Sequence, residues 1–105
     1  MPAYVFVQID VHDPATYQRY IALAPESIGK YGGRYLVRGG ACEALEGEWT
    51  PRRVAVLEFA DMARAKAWHD SAEYAPALAI RKASADALMI LVDGLPVPFE
   101  PGVQR

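Results

Sequence analysis

The stretch Tyr4-Val5-Phe6-Val7-Gln8-Ile9 is apolar on both faces of the β-strand that it predicts. Successive side chains of a strand point to opposite sides of a sheet, so Val5, Val7 and Ile9 share one face and Tyr4 and Phe6 the other. The same two-sided pattern returns at 54–59 and 88–92. One layer of helices covers only one face, so the second apolar face predicts a partner, and a second copy of the chain is the simplest one.

Strand and helix patterns alternate along the rest of the chain in the order βαββαβ. Alternating β-branched and aromatic residues predict strands at 3–11, 34–38, 53–59 and 85–93. Apolar residues at helical spacing predict helices at 14–31, 62–70 and 72–82. Gly39-Gly40 suggests a bulge or bend in the second strand, which could resume over 41–45. Pro25 lies inside the first helix and predicts a kink or restart near Ala24.

This order predicts an α+β fold. Right-handed crossovers place both helical segments on one face of an antiparallel four-stranded sheet, as in the ferredoxin-like βαββαβ plait. The bare face then predicts a homodimer that closes through its sheet faces into an α+β barrel. We expect one domain over 1–94 and a Pro-rich C-terminal arm over 95–105.

Composition narrows the range of functions. The chain has 105 residues, is 52% hydrophobic and carries a formal charge of −2, so it lacks the basic footprint of a nucleic-acid-binding protein. The single cysteine, Cys42, cannot form an internal disulfide, which favours the cytoplasm. We expect no signal peptide, and no apolar run approaches the roughly 20 residues that span a membrane.

The run Tyr31-Gly-Gly-Arg-Tyr-Leu-Val-Arg-Gly-Gly40 resembles the signature of domain-of-unknown-function family 1330, and so do Pro51-Arg-Arg53 and Glu58-Phe59. Ala67-Trp68, Ser71 and Tyr74 add to this resemblance, which covers roughly residues 3–94. The family consists of small bacterial proteins of the dimeric α+β barrel superfamily. Other members of that superfamily are cofactor-free monooxygenases, isomerases and haem-binding enzymes, so the resemblance implies a fold and a dimer but no particular activity.

A first group of candidate residues is polar and lies on the strands. Glu58 is expected on the same face of the third strand as Val54 and Val56. Arg34 and Arg38 are expected together on one face of the second strand. A carboxylate and two guanidinium groups between sheets could bind a small anion, with Glu58 moving protons. The alternative is a set of ion pairs that fixes the register of the dimer.

A second group is expected between the sheet and the helices. It is aromatic with polar tips, as in many small-molecule pockets, and consists of Tyr17, Tyr20, Trp68, Tyr74, Arg81 and His69. His69 is a second candidate for proton transfer, and a helix histidine also leaves haem as a remote option in this superfamily. The alternative is ordinary core packing, in which each polar tip is satisfied.

Two functions therefore remain open. One is a small homodimer that binds or transforms a small anionic or aromatic molecule, with Tyr17, Arg34, Arg38, Trp68, Tyr74 and Arg81 as ligand contacts. The other is a non-catalytic dimeric accessory or regulatory module. No metal-ligand spacing occurs in the sequence, and we expect neither a metal nor a cofactor.

Overall fold

A computed structural model describes residues 1–96 of the chain, which form one four-stranded antiparallel sheet and three helices. The elements are β1 (Ala3–Val11), α1 (Pro14–Lys30), β2 (Arg34–Gly40), β3 (Arg53–Phe59), α2 (Met62–His69), α3 (Ala75–Ser84) and β4 (Ala85–Asp93). The strand order is β2-β3-β1-β4. The predicted α+β class and ferredoxin-like arrangement are confirmed. Beyond Pro96, the predicted C-terminal arm lies outside the described residues.

The two faces of β1 have different environments, as the alternation predicts. Val5, Val7 and Ile9 are buried in the core beneath the helices. On the other face, Phe6 is 41% exposed although it lies at the centre of the sheet, between β3 and β4. We call this second surface the open face, since the helices of residues 1–96 pack on the opposite side.

Strand β2 contains an irregularity that changes which of its side chains face the helices. Arg34 pairs with Glu58 and Tyr35 with Leu57, but the register shifts before Val37, which pairs with Val56. The extra residue at this bulge reverses the alternation, so Arg38 lies opposite Ala55 on the helix side of the sheet. The prediction that Arg34 and Arg38 share a face is therefore wrong. The irregularity predicted at Gly39-Gly40 is present, but β2 ends at Gly40 and does not resume over 41–45.

Helix α1 begins where the sequence predicts. The Asp13 side chain accepts a hydrogen bond from the Thr16 backbone N–H, and Pro14 occupies the first turn. The sequence predicts a kink or a restart near Ala24. The helix continues through Pro25 to Lys30, so a restart does not occur.

The third helix begins later than predicted. The sequence predicts it over 72–82, but α3 begins at Ala75. The Ser71 hydroxyl accepts from the Tyr74 N–H and stabilises a separate turn before the helix. A serine that bonds the backbone three residues ahead is equally suited to a turn and to a helix cap.

Gly33 allows β2 to pass close to the core. A Cβ at this position would lie 2.5 Å from Phe59 Cε1 and 2.8 Å from Ile28 Cγ2, and both of those residues are almost fully buried. We expect Gly33→Ala to lower the free energy of unfolding by about 1–3 kcal/mol through overpacking, measured by urea denaturation.

Gly29 offers a matched control, because a Cβ there would meet no atom within 4 Å on an exposed part of α1. Gly29→Ala should stabilise the chain by about 0.5–1 kcal/mol. If the two substitutions behaved alike, the close contact at Gly33 would be refuted.

Candidate functional site

A cavity of about 160 Å³ lies between the sheet and α1. Its floor comes from the buried face of β1 and β3, including Val7, Ile9 and Ala55. Four aromatic rings contribute to its walls: those of Tyr17, Tyr20, Tyr35 and Trp68. Two arginines, Arg38 and Arg53, also line it.

Both of these arginines lie against tyrosine rings of the cavity. The Arg38 guanidinium carbon is 4.7 Å from the centre of the Tyr35 ring, and that of Arg53 is 5.3 Å from the centre of the Tyr17 ring. These distances are typical of cation–π contacts. Arg38 also donates from Nη2 to the Ile21 backbone carbonyl at 2.9 Å. The two guanidinium groups are thus held by neutral partners.

A third arginine lies behind the tyrosine wall. Arg81 of α3 is only 6% exposed, and its Nε donates to the Tyr74 hydroxyl at 3.5 Å. The Tyr74 and Tyr20 hydroxyls are 3.0 Å apart and form a hydrogen bond. Arg81 is therefore connected, through the Tyr74 hydroxyl, to Tyr20, which lines the cavity.

Trp68 is fixed by contacts on several sides. Its indole N–H donates to the Ser27 hydroxyl of α1 at 3.1 Å, and Ser27 in turn donates to the Ala24 carbonyl. The Tyr74 ring lies 4.2 Å from the Trp68 ring, and the Phe59 ring lies at 5.4 Å. Since Trp68 has no exposed surface, it forms a rigid part of the wall.

Burial keeps the phenols of this site in their neutral form. It raises the pKa of the Tyr17 and Tyr20 hydroxyls and raises the pKa of Tyr35 to about 12, although Arg38 acts in the opposite direction on Tyr35. These groups therefore act as hydrogen-bond donors at neutral pH and do not serve as bases.

The site combines positive charge with hydrogen-bond donors. Within residues 1–96, the ion pairs do not include Arg38, Arg53 or Arg81, and the cavity lining contains neither a carboxylate nor a histidine. Its chemistry suits an anion, and it lacks a residue that could remove a proton near neutral pH.

The structure brings together only some of the predicted site residues. Tyr17, Arg38 and Trp68 line the cavity, while Tyr74 and Arg81 support it from behind.

Arg34 and Glu58 lie instead on the open face, where Arg34 Nε donates to Glu58 Oε1 at 2.8 Å. His69 does not line this cavity; it is exposed on α2 with its Nδ1 3.6 Å from Asp70. His69 lines a separate pocket between α2 and β4, and its ring centre lies 6.0 Å from that of Tyr74.

Two lining residues with polar side chains, Arg53 and Tyr35, were missed, although the sequence held a signal for each. Arg53 begins β3 with the same parity as Ala55 and Leu57, which places it on the core side. Tyr35 neighbours Arg34 and so points to the opposite face. Alternation alone would have identified both residues.

Other kinds of site receive no support from the described part of the chain. No group of three histidine, cysteine, aspartate or glutamate side chains within residues 1–96 is arranged to hold a metal ion. The helices of that range are too short or too polar to cross a bilayer.

A four-stranded antiparallel sheet in βαββαβ order, with its helices on one face, defines the ferredoxin-like class of small α+β proteins. The chain belongs to the family described as Domain of unknown function (DUF1330), whose model matches residues 2–95. Comparison with curated proteins gives no match.

Several solved structures share the fold. A protein of unknown function from Rhodopseudomonas palustris superposes with a TM-score of 0.75 at 16% identity, covering 91% of this chain and 84% of that one. A dimeric ferredoxin-like protein of unknown function from Jannaschia sp. gives 0.67 at 14% identity, covering 90% and 100%. The cofactor-independent oxygenase SnoaB from Streptomyces nogalater gives 0.61 at 13% identity, covering 94% and 98%. At these identities the similarity shows the fold alone.

The neutral phenols predict alkaline sensitivity. The pKa of Tyr35 is about 12 in the fold, above the ordinary value of 10 for an unfolded chain. Its contribution to stability is complete below pH 10 and is lost as the pH rises through 12, because the unfolded chain releases the proton first. Urea denaturation between pH 10 and 12 should show a falling free energy of unfolding.

Tyr35→Phe should make the fall in the free energy of unfolding between pH 10 and 12 less steep. Tyr31→Phe provides the control, since the Tyr31 hydroxyl donates to the exposed Glu73 outside the cavity. Equal slopes for Tyr35→Phe and the wild type would contradict the buried, neutral state of Tyr35.

Proposed function

We propose that this protein binds a small anionic aromatic molecule in the cavity between its sheet and α1, and that it does so as a homodimer. The observation that carries the proposal is the set of three arginines around the cavity, Arg38, Arg53 and Arg81, which form no ion pair within residues 1–96. Arg38 is exposed, but Arg53 is half-buried and Arg81 is buried. A buried or half-buried charge is normally paired, because desolvation is costly. An anionic ligand would supply the missing partner.

The shape and walls of the cavity narrow the class of ligand. A volume of about 160 Å³ is close to the roughly 150 Å³ that accommodates one benzene ring in an engineered protein cavity. Tyrosine and tryptophan walls favour a flat ring, which can stack or meet them edge-on. A guanidinium group binds a carboxylate through two parallel hydrogen bonds. A single-ring aromatic carboxylate combines these features.

The same groups limit what chemistry the site can perform. Guanidinium groups and neutral phenols can stabilise negative charge that develops on a ligand oxygen. They cannot take a proton at neutral pH, because burial raises the pKa of the phenols and arginine stays charged. If the protein is a catalyst, for example one that works without a cofactor as SnoaB is described to do, it acts through electrostatic stabilisation.

A non-catalytic binding module is the second candidate. The observation that favours it is that, among residues 1–96, neither a carboxylate nor a histidine lines the cavity. Recovery of the bound ligand unchanged after prolonged incubation in air would support this function. Chemical conversion of the ligand would instead support a catalytic function.

Binding of benzoate tests the proposal. Isothermal titration at neutral pH should detect benzoate, whereas the neutral isostere benzamide should bind at least tenfold more weakly because it lacks the charge. Arg38→Gln and Arg53→Gln should each weaken benzoate binding by about tenfold or more, as expected for loss of a hydrogen bond to a charged group.

Arg34→Gln is the matched control, since Arg34 lies on the same strand as Arg38 but on the open face, paired with Glu58. It should leave the affinity for benzoate unchanged. Equal binding of benzamide and benzoate, or no binding of either, would refute an anion site.

A homodimer would cover the apolar side chains of the open face. Large apolar side chains remain exposed across it on three of the four strands: Phe6, Leu36, Val37, Leu88, Ile90 and Val92. A contiguous surface of this kind is uncommon on monomers. A second copy offers the same surface, so a twofold axis would bury both together. The Jannaschia protein is itself described as dimeric.

An acidic substitution on the open face should separate the dimer. Phe6→Asp places an unpaired charge at the centre of the proposed interface, and light scattering should then report the mass of a single subunit. Leu23→Asp is the control, because Leu23 on α1 is 45% exposed and Phe6 is 41% exposed, but only Phe6 lies on the open face. A dimer mass for both variants, or for neither, would place the interface elsewhere.

We also propose that the protein works in a reducing compartment such as the cytoplasm. Cys42 is the only cysteine, so no internal disulfide supports the fold.

A further inference from the structure

The hydrogen bond between Arg38 and the Ile21 carbonyl involves a carbonyl that α1 itself leaves free. In an α-helix the carbonyl of residue i accepts from the N–H of residue i+4, which for Ile21 is residue 25. That residue is Pro25, which has no backbone N–H to donate. Arg38 Nη2 donates to the Ile21 oxygen at 2.9 Å in its place.

The proline ring also affects the direction of that carbonyl. A proline inside a helix crowds the carbonyl four residues earlier, which tilts away from the helix axis. A tilt of this kind favours contact with a neighbouring element, and the Ile21 oxygen accepts from Arg38 of β2. Since Ile21 and Arg38 both line the cavity, the bond holds the guanidinium group at the cavity.

We infer that Pro25 is a positioning residue for the binding site: by freeing the Ile21 carbonyl, it fixes Arg38 where the ligand's anionic group binds. The inference rests on the proposed function for its role in binding, while the contact itself can be tested without any ligand. Pro25 lowers the stability of α1, since proline is the least favourable residue in a helix interior. Proline at position 25 therefore makes α1 less stable but keeps the Arg38 guanidinium group ordered.

The inference predicts that stability and binding change in opposite directions. In Pro25→Ala, the new N–H at position 25 competes with Arg38 for the Ile21 carbonyl. The melting temperature should rise by several degrees, while benzoate affinity should fall about threefold to tenfold because Arg38 becomes mobile. In an Arg38→Gln background, Pro25→Ala should raise the melting temperature without a further loss of affinity.

Gly29→Ala is the matched control for helix stabilisation. Gly29 lies on the same helix with open space around it, so this variant should raise the melting temperature and leave benzoate affinity unchanged. An unchanged affinity in Pro25→Ala would overturn the inference, and so would an equal loss of affinity in Gly29→Ala.

Two nuclear magnetic resonance measurements test the contact in the absence of ligand. The new amide at position 25 should be protected from hydrogen exchange in Pro25→Ala. The Arg38 guanidinium protons should show restricted rotation in the wild type and faster rotation in the variant. Free rotation of Arg38 in the wild type would overturn the inference even if benzoate binds. If the wild type fails to bind benzoate but shows restricted rotation, the positioning contact stands and the proposed function falls.

Discussion

Helices cover one face of the sheet and leave the other without a helical layer, and both proposed functional surfaces follow from this arrangement. The covered face carries Val5, Val7 and Ile9 in the core. Where small residues such as Ala55 leave room below the tyrosines of α1, the cavity forms. The bare face keeps apolar side chains such as Phe6 and Ile90 in contact with water in the single subunit. A ligand site and a dimer surface can thus lie on opposite sides of a single sheet.

Strand β2 serves both surfaces because it contains a bulge. Before the bulge, Arg34 pairs with Glu58 on the open face; after it, Arg38 faces the helices. A regular strand would direct both arginines to the same side, and the cavity would lose one of its cations. Bulges often occur next to binding sites, where they redirect a side chain. Here the redirected side chain then meets the carbonyl that Pro25 leaves free.

Much of the fold could be predicted from the sequence, because local patterns decide it. The bounds of β1, β3 and β4 follow from the alternation and from the turn residues at their ends, and the structure matches them. The bulge near Leu36 could not be predicted, because no glycine or proline marks it and its register depends on pairing with β3. A kink or a restart was predicted near Pro25, and α1 continues through it without a restart. Local rules do not include the hydrogen bond that Arg38, on a distant strand, donates to this helix.

The candidate site was predicted in part for the same reason. Helical spacing placed Tyr17 and Trp68 on buried faces, and both line the cavity. Proton transfer by Glu58 or His69 was a hypothesis about residue type, and the fold brings neither side chain to the cavity. The structure concentrates cations and neutral hydroxyls there. Because these polar side chains are donors and no carboxylate within residues 1–96 lines the cavity, the proposed anion would satisfy donors that the described part of the chain leaves without a charged partner.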